Sequence, residues 1–170
     1  IDDLGLAIEY AGQIPTPALA AYATSKRCAS IMVTGSHIPF DRNGIKLNKS
    51  VGEVLKSDEA GMIAEIGRVR AEQYGLAEQS SRFDPAGMLK QASALPPLDR
   101  AAEDFYLARY LNCFSRDGLA GLRVLVYQHS AVGRDLLVRL LSALGAEVEA
   151  AGRSDSFIPI DTENVTADQL

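Results

Sequence analysis

The sequence predicts an α/β fold with mixed, mainly parallel sheets and helices on both faces, laid out as two incomplete α/β domains. Three observations predict it. Two short continuous apolar runs, Ala29–Val33 and Leu122–Tyr127, have the pattern of strands covered on both sides. Each is preceded and followed by a segment that reads as a helix. The order helix, strand, turn, helix, strand therefore occurs in both halves, the alternation expected of α/β proteins.

The opening stretch "DDLGLAIEYAGQIP" reads as the tail of one element followed by an apolar strand. Thr16 then offers a helix cap and Pro17 a first helical residue, where a missing N–H costs nothing, and Ala18 through Arg27 continue the helix. After the first buried strand and a polar loop, Ser57 is the expected cap of a second helix. Asp58 and Glu59 lie in its first turn, Met62, Ile66 and Val69 on one face, and its end near Tyr74 and Gly75. Residues 78–97 are polar, broken by Pro85 and Gly87 and closed by Pro96-Pro97, which places a boundary between domains 1–95 and 96–170.

Asp99 is the expected cap of a helix running to about Phe114, with Ala102, Phe105, Leu107 and Leu111 as its apolar positions. Behind the strand "LRVLVY" comes an amphipathic helix whose Leu136, Leu137, Leu140, Leu141 and Leu144 share one side, read as core packing. Gly145 ends it and "AEVEAAG" supplies another strand. His129 reads as a loop residue. Thr166 and Gln169 stand in capping-box register with no helix body after them, and Ile1 is not an initiator, so the chain reads as a piece of a longer protein.

Composition narrows the function classes. The chain has 170 residues, 47% of them hydrophobic, enough for one good core or two small ones. The formal net charge is −5 and the basic residues are dispersed, so no positive stripe suited to a nucleic acid is present. No apolar run approaches the roughly 20 residues that cross a bilayer, and a cytoplasmic address with no membrane partner is expected. Cys28 and Cys113 match neither metal-ligand spacing nor a disulfide framework and are expected to be reduced core residues.

The candidate site is "VTGSHIPFDRNGIKL", Val33 to Leu47. Ser36 lies just past the C-terminal end of a buried strand, where open α/β sheets form their ligand crevices. Gly35 is expected to supply backbone freedom and close approach. Asn43-Gly44 is a turn signal that would bring Lys46 back beside the loop, where its ammonium suits a phosphate. A serine hydrolase is disfavoured, because adjacent residues of an extended chain point apart and the second glycine of a nucleophile elbow is missing. A metal site is disfavoured too, His37 having only Asp41 nearby. A phosphoryl carrier needs a hydroxyl, donors and a cation, and these are present. Taken alone, Ser36 also fits a turn cap, His37 a structural loop residue and Lys46 a solvated strand residue.

"IPTPALAAYA" followed by "SIMVTGSHIPFDRNGIKL" resembles the paired signatures of the α-D-phosphohexomutase superfamily, Pro-Thr-Pro-Ala and then Thr-Ala-Ser-His-Asn-Pro, a spacer and Asn-Gly-x-Lys. Gly35 stands for the usual alanine and Ile38 for the asparagine. The helix from Asp99, the "LRVLVY" strand and the leucine-rich helix resemble the start of the family's second domain, without the Asp and Asn-Gly usual after that strand. The resemblance implies catalytic roles for Ser36 as phosphoserine, His37 beside it and Lys46 near the phosphoryl group, with Asn43 and Gly44 at the substrate. His37 would orient the loop or exchange a proton. It further implies Mg2+, held by Ser36 through its phosphate with the other ligands beyond residue 170, and a hexose 1,6-bisphosphate as activator. The expected activity is phosphomannomutase or phosphoglucomutase on a small-molecule hexose phosphate, with this fragment alone inactive. The alternative is a noncatalytic α/β module that binds a phosphorylated ligand or a protein.

Overall fold

The computed structural model describes residues 4–35, 41–91 and 94–158. Two compact units divide the chain, one formed by residues 1–10 and 53–97, the other by 11–52 and 98–170. The expected domains follow sequence order, whereas these units do not, since residues 11–52 cluster with the second half.

The larger unit begins with helix α1 (Thr16–Lys26). Thr16 is its first helical residue rather than its cap. Pro15 precedes it, accepting from the Ala18 N–H at 2.9 Å, and Pro17 occupies a first-turn position where no donor is needed. At the other end Arg27 is left-handed at φ 53°; its N–H reaches the Thr24 carbonyl and the Cys28 N–H the Ala23 carbonyl. That is the Schellman pattern with arginine where glycine is usual.

Helix α3 (Ala101–Cys113) packs against α1. The contact is built on small residues: Ala18 is 0% and Ala102 1% exposed, with Ile14 beside them and Leu19, Tyr22 and Tyr106 against the cluster. Alanines at the crossing let the two backbones approach closely. Arg100, not Asp99, is the cap residue of α3; the Asp99 carboxylate, one residue outside it, accepts from the Ala101 N–H at 2.8 Å.

A βαβ unit follows, made of β4 (Arg123–His129), α4 (Arg134–Ala143) and β5 (Glu147–Arg153), with β4 and β5 parallel. Leu136 and Leu144 of the leucine face are buried, but Leu137 points outward and is exposed. Gly145 has φ +94°, and a Cβ there would press on the Arg116 carbonyl at 3.1 Å, so both conformation and space select glycine. Glu103 on α3 is ion-paired to Arg139 on α4, tying these helices together.

Strands β1 (Ser30–Thr34) and β2 (Gly44–Lys49) are antiparallel, with the two-residue β3 (Gly52–Glu53) completing the order β1-β2-β3. The expected parallel arrangement thus holds for β4 and β5 and not for this pair. Only residues 35–43 join β1 to β2, fewer than the dozen or so a parallel crossover requires. The expectation that "ASIMV" is covered on both faces is corrected as well. Ser30, Met32 and Thr34 are at least partly buried while Ile31 and Val33 are exposed.

In the smaller unit, α2 (Lys56–Tyr74) begins before Ser57, with Leu55 as cap residue and the Asp58 carboxylate accepting from the Leu55 N–H at 2.7 Å. Its end at Tyr74 and Gly75 is as the sequence predicts. None of its residues is buried, Ile66 and Val69 included. Local pairs support it, Lys56 to Glu59 at 2.6 Å and Arg68 to both Glu65 and Glu72 at 2.9 and 3.2 Å. Past a short 3-10 turn at Glu78–Ser80, Asp84 accepts from the Ala86 and Met88 N–H groups and folds the polar stretch into a turn.

Both cysteines are free and exposed, so they are not core residues; each lies at or just beyond the end of a helix. No helix among the described residues is long and apolar enough to cross a membrane. Thr166 and Gln169 lie outside the described residues.

Candidate functional site

The β1–β2 hairpin carries the site. Its register pairs Ser30 with Asn48, Met32 with Lys46 and Thr34 with Gly44. Directly opposed residues share a face, so Ser30, Met32, Thr34, Lys46 and Asn48 point to one side, and Ile31, Val33, Ile45 and Leu47 to the other. Lys46 therefore stands two residues into β2, on the same face as Met32 and itself exposed. Ser36 and His37, with Ile38, lie outside the described residues.

The hairpin does return Lys46 toward the loop, but not through a two-residue Asn-Gly turn. Gly44 is already the first residue of β2, paired with Thr34, and Asn43 precedes it. Gly35 is corrected too. It has no left-handed φ, and a Cβ on it would find its nearest described neighbour, the Arg42 carbonyl oxygen, at an ordinary 3.9 Å. Asp41 faces Arg42 at 3.7 Å on the surface.

At the base of the hairpin the Asn48 side-chain amide donates to the Ser30 hydroxyl at 3.1 Å. Ser30 is 8% exposed, and its oxygen is thereby satisfied. Sequence reading had no signal for this pair, because it links residues of two strands whose pairing was not foreseen.

A comparison of residues 3–73 with family profiles matches them to "Phosphoglucomutase/phosphomannomutase, alpha/beta/alpha domain I". A phosphomannomutase of Sinorhizobium fredii is 42% identical over 92% of this chain and 30% of its own length. A phosphomannomutase of Salmonella muenchen is 39% identical over 99% of this chain and 31% of its own. The chain belongs to the α-D-phosphohexomutase superfamily. A more distant member, a phosphoglucosamine mutase of Sulfurovum, is 30% identical over 88% of the chain. The chain spans about 30% of the length of the phosphomannomutases it matches.

A second polar cluster of the chain went unread in the sequence. His129 is not a free loop residue. It closes β4 with φ 48°, its carbonyl accepting from Arg134 at 2.9 Å and from the Ser154 N–H at 3.0 Å. Its Nδ1 lies 3.1 Å from the Ser130 hydroxyl. Arg153 pairs with Asp135 at 2.7 Å, and this hydrogen bond holds the Asp135 carboxyl below its ordinary value. Ser130, Arg134, Asp135, Arg139, Arg100 and Glu103 line a cleft of about 410 Å³. Its arginines are turned to partners within the chain, Arg134 to Asp155, Arg139 and Arg100 to Glu103. Among the described residues no group of three or more His, Cys, Asp or Glu side chains is placed to hold a metal ion.

Proposed function

We propose that the protein to which this chain belongs is a phosphohexomutase, specifically a phosphomannomutase, working through a phosphoserine at Ser36 and a bisphosphorylated sugar. The observation that supports the reading is the antiparallel pairing of Met32 with Lys46, which puts Lys46 on the strand that follows the stretch containing Ser36 and His37. The names of the relatives support the substrate class, a small hexose phosphate.

The transfer follows from these groups. A sugar hydroxyl attacks phosphorus, the bond from phosphorus to Ser36 Oγ breaks, and the hydroxyl proton passes to a base. After the sugar turns over, Ser36 Oγ attacks the other phosphate and regains a phosphoryl group, releasing the isomer. Lys46 offsets charge on the moving phosphoryl oxygens, and Asn43 and Gly44 border the sugar. His37 orients the loop or exchanges the proton. Magnesium at the Ser36 phosphate would supply further charge neutralisation, as metals do in such transfers. The described residues offer it no cluster of ligands, and none of these steps goes through it.

The test is intact-mass measurement of the full-length protein after incubation with glucose or mannose 1,6-bisphosphate. One added phosphoryl mass, absent in Ser36→Ala, is the expected result. No uptake in the unaltered protein would overturn the reading in favour of a noncatalytic binding module.

A further inference from the structure

We propose that Asn48 is a positioning residue for phosphoryl transfer, fixing the register of the β1–β2 hairpin and through it the place of Lys46. The proposal rests on the reading of Ser36 and Lys46 given above. Tight two-residue turns dictate hairpin register by their own geometry, but residues 35–43 are too many to do so. Cross-strand side chains then help to set the register. The exposed face discriminates poorly. Its pairs, Ile31 with Leu47 and Val33 with Ile45, are aliphatic, and a slide of two residues that set Ile31 opposite Ile45 would still match apolar to apolar.

The packed face does discriminate. Ser30 is buried, so its hydroxyl needs a polar partner, and in the observed register Asn48 stands directly opposite and donates to it at 3.1 Å. A slip of one residue would set Leu47 or Lys49 against that hydroxyl and turn Lys46 to the face of Ile31 and Val33. The two-residue slide would set Lys46 opposite Ser30, carrying the ammonium about 7 Å away from the loop. Either change removes the cation from the phosphoryl group. Asn48 itself stands at the far end of the hairpin and acts only through Lys46 and the loop.

The experiment follows the rate of phosphoryl uptake from glucose 1,6-bisphosphate by intact mass in the full-length protein, at several bisphosphate concentrations. Asn48→Ala is expected to slow uptake about fivefold, the worth of one typical hydrogen bond, with the half-saturating concentration unchanged. Asn48→Asp, whose carboxylate accepts from the Ser30 hydroxyl, is expected to restore the rate. The double variant Ser30→Ala/Asn48→Ala should be no slower than the slower single variant. If the alanine variant fails to fold, Asn48→Leu, similar in volume, takes its place. Uptake within twofold of normal in the alanine or leucine variant, or a loss that Asn48→Asp does not restore, overturns the proposal alone. Uptake that survives in Ser36→Ala overturns the reading of the loop, and the register proposal falls with it.

Discussion

Arg153 at the end of β5 reaches back to Asp135 in the first turn of α4, Nη1 to Oδ1 at 2.7 Å, closing the βαβ unit at the edge where its strands end. The hydrogen bond to Arg153, with the charges of Arg153 and Arg134, depresses the Asp135 carboxyl below its ordinary value. A carboxyl depressed on folding stabilises the fold above its unfolded value, and that contribution is lost as pH falls through the folded one. Acid unfolding below about pH 4 should therefore show a component from this pair. Asp135→Asn is expected to flatten stability against pH in that range, measured by urea unfolding at pH 3 to 6. Both side chains are largely exposed, so the effect at pH 7 should be small.

Lys46 offers the direct probe of the hairpin. If its ammonium faces the transferring group, Lys46→Met in the full-length protein should lower kcat for hexose phosphate isomerisation by about 100-fold or more. Lys46→Arg should retain part of the rate, since charge is kept and geometry is not. A methionine variant within a factor of about three of normal would remove Lys46 from the mechanism.

Arg27 holds a left-handed conformation that costs a side-chain-bearing residue roughly 1 kcal/mol. Arg27→Gly should stabilise the larger unit by up to about 1 kcal/mol, partly offset by the greater freedom of glycine when unfolded. A shift in the urea midpoint at constant slope measures it.

Gly152 carries the opposite expectation. It has φ +64°, and a Cβ there would overlap the ring of Tyr127. Gly152→Ala should destabilise by about 1 to 2 kcal/mol, chiefly from the left-handed backbone, with a smaller steric part because Tyr127 is exposed and its ring can turn aside. Adding Tyr127→Ala should recover the steric part and leave the strain. A double variant as unstable as the single one would exclude the overlap as a cause.

The elements of this chain were largely legible in its sequence, because they rest on local signals. The leucine spacing of α4 buries Leu136 and Leu144, and Gly145 ends it. What failed depends on distant groups. Leu137 shares the helical spacing of its neighbours yet faces outward, since position on a wheel does not say how wide the packed face is. Ser57 looked like a cap, but Asp58 claimed the Leu55 N–H and started α2 earlier. The candidate loop was visible as a motif, whereas the antiparallel return that sets Lys46 opposite Met32, and the Asn48 to Ser30 bond beneath it, join residues far apart in the chain.

The face opposite Lys46 has its own consequence. Ile31, Val33, Ile45 and Leu47 form a continuous greasy ladder, with Val33 61% and Ile45 67% exposed. Such a surface drives self-association, which salts that strengthen apolar burial will aggravate. A solution of these 170 residues on their own should therefore grow turbid with concentration and ammonium sulfate, and Ile45→Lys should keep it clear.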